Sequence, residues 1–83
     1  MTRSGTTRGT VIRWDDARGA GIVEAPDLPD GCWVDASVVH GHPGGLRAGQ
    51  VVDVDWTEPG EEGLPVRATR VVPREDLQAT LGG

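Results

Sequence analysis

Alternation of apolar and polar positions is the strongest signal along this chain. It is sharpest in "QVVDVDWT" (50–57), where Val52, Val54 and Trp56 fall on one side and Val51, Asp53 and Asp55 on the other. A period of two puts successive side chains on opposite faces of a pleated strand, which predicts a half-buried strand with Trp56 in the core. "GTVIRW" (9–14) and "AGIVEA" (20–25) are β-rich runs flanking the polar turn "DDARG" (15–19), and together they predict a hairpin. "PDLPDG" (26–31) reads as a loop, marked by two prolines and a glycine, and "CWVDA" (32–36) as a third strand. "SVVHGHPGGLRAG" (37–49) is expected to begin with a single turn capped by Ser37 and to continue as a Gly-rich loop. "EPGEEG" (58–63) predicts an acidic hairpin loop, and "LPVRATRVV" (64–72) a fifth strand ended by Pro73.

Five short strands over residues 8–72 predict an all-β, five-stranded antiparallel barrel. It is framed by a flexible N-terminal arm (1–7) and a C-terminal tail (73–83), where Leu77 and Leu81 would share one face of a short helix. Composition agrees with one small domain. The 83 residues are 36% apolar and contain no Phe or Tyr, so valines and the three Trp residues must fill the core. Thirteen Gly and six Pro suit tight turns between strands better than long helices. A lone cysteine, Cys32, cannot close an internal disulfide, and "MTRSGTTRG" has no apolar run behind its arginines. A cytoplasmic, reduced setting without a membrane span is therefore expected.

Charge divides the chain. Net charge is −5, which by itself argues against a phosphate-bearing partner. Residues 1–23, however, carry four Arg against two Asp, residues 24–63 only Arg47 against nine acids, and residues 64–83 three Arg against two acids. Every cation is Arg, which can stack on a base as well as pair with phosphate.

The order "GTVIRW", "RGAGIV", "WVDASVV", "LRAGQVV" resembles the bacterial cold-shock domain over residues 8–72. That resemblance implies an OB-fold barrel that binds single-stranded RNA or DNA on an aromatic sheet face edged by basic side chains. Carried over by position, Arg18, Gly19 and Gly21 keep the family frame, but Ala20 and Ile22 stand in its aromatic slots. Trp33 takes a slot filled by Phe, Asp35 one filled by His, and Ala36 another Phe. On the first strand two alignments differ by one residue. Arg13 falls on the family Trp and Trp14 on the next Phe, or Trp14 is itself that Trp. "HGHPGG" has no counterpart to the loop aromatic.

The candidate nucleic-acid-binding residues are thus Trp14, Trp33, Arg13, Arg18 and Ile22, with phosphate contact from Arg8 and with Asp35 as the main departure. Alternation against Cys32 and Val34 turns Trp33 outward, whereas Trp14 suits the platform or the core equally. A carboxylate at Asp35 repels phosphate, although it can accept from a cytosine amino group or from a protein partner's Arg. "HGH" lacks the companion ligands of a metal site, no nucleophile stands beside a base, and the final "LGG" reads as a frayed end. The expectation is therefore a binding module, without cofactor, metal or catalysis. The first reading is a weak, salt-sensitive single-strand binder. The alternative is an OB-fold protein-interaction module that has lost nucleic-acid binding.

Overall fold

A computed structural model describes residues 2–41 and 45–74. Its strands are β1 (Ser4–Asp15), β2 (Ala20–Ala25), β3 (Leu28–Asp35), β4 (Val51–Thr57) and β5 (Val66–Pro73), with one 3-10 turn at Ala36–Val38. They close into a barrel in the order β1-β2-β3-β5-β4, an all-β OB-type architecture.

β1 serves two neighbours. Its first half pairs with β4, from Ser4 opposite Thr57 to Thr10 opposite Val51. Its second half pairs with β2, from Thr10 opposite Glu24 to Asp15 opposite Ala20. The arm expected over 1–7 is thereby corrected, because Ser4–Thr7 belong to the barrel. Thr6 and Thr7 are β-branched and suit a strand, and without them one edge of β4 would stay open. Thr6 Oγ1 donates to Asp55 Oδ1 at 2.9 Å, and Arg3 Nε meets Glu58 Oε2 at 3.1 Å.

The loop expected over 26–31 shrinks to a turn at Pro26 and Asp27, with Ala25 opposite Leu28. Leu28 is buried and recruits its neighbours into β3. Pro29 is exposed and lies where β3 has no β5 neighbour, an edge position that tolerates a missing N–H. The barrel is also not wholly antiparallel. β3 and β5 run parallel, meeting only at Cys32 opposite Val66 and Trp33 opposite Arg67. A parallel bridge between Val39 and Val71 extends this seam.

The interior is built of valine. Val11, Val23, Val34, Val52, Val54, Val66, Val71 and Cys32 are the largest fully buried side chains. Short branched side chains fill a narrow five-stranded lumen without aromatic rings, and burial of each contributes about 1.5–3 kcal/mol. Cys32 behaves there as a small hydrophobe, and desolvation pushes its thiol up to about 12. Trp56 packs against this core but is only half-buried, its indole lying across Gly5 with Cζ2 3.0 Å from where a Cβ would stand. Its Nε1 is buried without a hydrogen-bond partner among the described residues. The expected core role of Trp56 is thus partial, because a ring this large does not fit among the valines.

After β3 the chain turns through Ala36–Val38, and the cap is Asp35, not Ser37. Asp35 Oδ2 accepts from Ser37 N at 2.9 Å. The helix expected in the tail falls on residues 75–83 and the second histidine of "HGH" on residues 42–44, outside the described residues. Among the described residues no helix is long and apolar enough to cross a membrane.

Candidate nucleic-acid interface

A bulge in β1 decides which side chains reach the outer face. Val11 pairs with Val23 and Arg13 with Ile22, so Ile12 is the extra residue. Val11 points into the core while Ile12 and Arg13 both point outward, Ile12 being 48% exposed. The next residue, Trp14, turns back inward. It packs against the core from the other side of the sheet, its Cε3 2.6 Å from the Cβ position of Gly21 and its Nε1 2.8 Å from that of Gly45. Both glycines are needed there, since a side chain on either would collide with the indole. Arg13 is thus on the outer face, and Trp14, which the sequence left open between platform and core, is on the core side.

The pairings then line up one lateral row. Arg13 lies opposite Ile22, Ile22 opposite Trp33, and Trp33 opposite Arg67. Residues in register across neighbouring strands share a face, so four strands place cation, aliphatic, aromatic and cation side by side. At about 4.8 Å per strand spacing the row spans about 14 Å. Trp33 is half-buried, its flanks Cys32 and Val34 fill the core as alternation required, and its outward placement is as expected. Arg67 was missed in the sequence, because its place depends on the parallel β3–β5 pairing.

Arg13, Ile22 and Trp33 join Arg18, Asp15, Glu62 and Leu64 around a cleft of about 200 Å³. Glu62 and Leu64 come from the β4–β5 connection, which folds along the face. Leu64 and Ile22 both lie against the Cβ position of Gly31, whose φ of 94° suits glycine. Arg18 Nη2 meets Glu62 Oε1 at 2.8 Å. The Arg13 guanidinium has no ion-pair partner among the described residues.

The row beside it is different in kind. Asp15 lies opposite Ala20, and Ala20 opposite Asp35. Both carboxylates serve turns: Asp15 Oδ1 accepts from Ala17 N at 3.0 Å and Arg18 N at 3.3 Å, and Asp35 caps the 3-10 turn. The Ser37 hydrogen bonds hold the Asp35 carboxyl below the usual carboxylate range. Its placement two residues from Trp33 is thus explained by capping, which the ligand-facing reading overlooked.

Arg8 does not reach this face. It lies with Arg74 on the β1–β4–β5 side, where Arg8 Nε at 3.1 Å and Arg74 Nη1 at 2.7 Å hold the two oxygens of Asp53. These hydrogen bonds, Arg74's first, keep the Asp53 carboxyl below its ordinary range. The hollow there is larger, about 750 Å³, but has no aromatic side chain and its carboxylates face its arginines. Among the described residues no cluster of three His, Cys, Asp or Glu could hold a metal ion. Comparison of the chain with family models, curated proteins and solved structures finds no match.

Proposed function

We propose that the face carrying Arg13, Ile22, Trp33 and Arg67 binds single-stranded RNA or DNA, weakly and with strong salt dependence. The observation that carries the reading is the lateral row itself. One base stacks on Trp33, Ile22 borders it with apolar surface, and flanking phosphates meet Arg13 on one side and Arg67 on the other. The barrel topology and the "RGAGIV" and "WVDASVV" stretches support reading the chain as a divergent cold-shock-like domain with one stacking position left. Nothing in the cleft pairs a nucleophile with a base, so its chemistry suits binding rather than catalysis. A buried, protonated Cys32 suits a reducing cytoplasm.

A single stack contributes about 1–3 kcal/mol, and two or three phosphate contacts give a log–log salt slope of about −1.4 to −2.1. Affinity in the micromolar range or weaker follows, rather than nanomolar. The mixed charge of the cleft, with Glu62 and Asp15 beside its arginines, favours the second reading, a site for another polypeptide. Titration of a fluorescein-labelled hexathymidylate at low salt separates the two. Saturable, salt-sensitive binding that is weakened in Trp33→Ala supports the nucleic-acid reading. No binding at low salt, together with nuclease-resistant co-purification of a defined protein, overturns it in favour of the second.

A further inference from the structure

The β4–β5 connection has an unusual tip. Leu64 N donates to Glu61 O at 2.9 Å, and both central residues of that turn have left-handed backbone, Glu62 at φ 54° and Gly63 at φ 83°. Such a turn favours Asn, Asp or Gly at its first central position, and a glutamate there carries a local conformational cost. The side chain held at this disfavoured position reaches the β1–β2 turn and takes Arg18 Nη2 at 2.8 Å. Two further contacts keep the connection along the cleft. Leu64 shares the space above Gly31 with Ile22, and Arg67 Nη1 donates to Pro59 O at 2.9 Å. Glu62 therefore lies inside the cleft, on one of its cations.

We propose that Glu62 is an internal competitor for the bound polyanion: its carboxylate fills the Arg18 subsite, and a phosphate enters only by displacing it. This inference rests on the single-strand reading of the face and adds how that site is restrained. The Arg18 and Glu62 side chains are 61% and 50% exposed, so solvent screens the pair and the competitor is weak and reversible. It sets a threshold. A lone carboxylate or a mononucleotide gains little by exchanging one ion pair for another. A strand already anchored at Arg13 and Trp33 presents its next phosphate at high effective concentration and displaces Glu62. The site thereby selects oligonucleotides over single nucleotides.

Two variants test this with labelled hexathymidylate as the probe. Glu62→Asn removes the charge with a residue at home in left-handed turns, and Glu62→Gln removes it at nearly constant length. Each is expected to bind about two- to fivefold tighter at low salt. The log–log salt slope should steepen by up to about 0.7, since Arg18 then meets phosphate. In an Arg18→Ala background neither substitution should change affinity. Thermal melting followed by circular dichroism confirms that each variant folds. Unchanged affinity in both variants, with the wild type binding measurably, overturns the competitor and leaves the single-strand reading standing. An equal gain in the Arg18→Ala background also overturns it, because the effect would then be general charge. No binding by any of the proteins overturns both.

Discussion

The two tryptophans near the cleft should respond oppositely to substitution. Trp33 is the only aromatic residue in the Arg13–Arg67 row, so Trp33→Ala removes the whole stacking contribution while leaving the cations in place. One base stack at about 1–3 kcal/mol corresponds to a loss of about 5- to 150-fold in affinity. The salt slope should remain, because on this reading Arg13 and Arg67 would still meet phosphate. Trp14 is on the other side of the sheet, wedged between Gly21 and Gly45. Trp14→Leu keeps an apolar side chain there but empties part of its space, at a cost of about 1–2 kcal/mol in stability. Its affinity should stay within about twofold of the wild type under conditions where it is fully folded. Fluorescence anisotropy with labelled hexathymidylate measures the first quantity and urea denaturation the second. If folded Trp14→Leu loses affinity as Trp33→Ala does, the stacking surface is on the wrong side and the row is not the site.

Other expectations follow from the same geometry. Gly21→Ala places a Cβ against Arg13 O and the Trp14 ring, and should destabilise the barrel by about 2 kcal/mol or more by urea denaturation. Arg13→Ala with Arg67→Ala should flatten the log–log salt slope by about 1.4 while Trp33 continues to report base contact in its fluorescence. The Asp35, Asp53 and Glu58 carboxyls are all held below their ordinary values by hydrogen bonds, so the stability they confer is complete above about pH 4–5. It is lost as pH falls through the lowered folded-state values, and Asp35→Asn should blunt that acid sensitivity in melting curves taken across the window. Cys32 is buried with its thiol raised to about 12, so a disulfide reagent should modify it at neutral pH only as fast as the barrel opens.

The barrel was legible because its core strands alternate. Val52 and Val54, or Cys32 and Val34 around Trp33, carry their facing in the local order of residues, and that order needs no partner strand to be read. Trp33, Ile22, Arg13 and Arg18 came together for the same reason, each being fixed by the first hairpin or by alternation in β3. What escaped depends on distant chain. Ser4–Thr7 become strand only because β4 arrives some fifty residues later to pair with them. Arg67 joins the face only through its parallel pairing with Trp33, and Glu62 only because its connection folds back along the cleft. The bulge at Ile12 is the subtlest case. One residue of slip turned Trp14 inward, and neither alignment of the first strand contained the glycines that make room for it.

The β3–β5 seam rests on two parallel residue pairs, extended by the single Val39–Val71 bridge, whereas β1–β4 is joined along seven residues. The barrel should therefore breathe first at that seam, parting Val66 from Cys32 before the long antiparallel ladders open. A strand of nucleic acid lying from Trp33 to Arg67 would cross the gap and act as a clasp. It would slow amide hydrogen exchange in the first residues of β5, far more than in β4, and raise the opening free energy by RT ln(1 + L/Kd), where L is the free ligand concentration. In that sense the weakest hinge of the cage and the proposed site would be a single piece of mechanics: a ligand held at Trp33 and Arg67 would also hold the barrel shut.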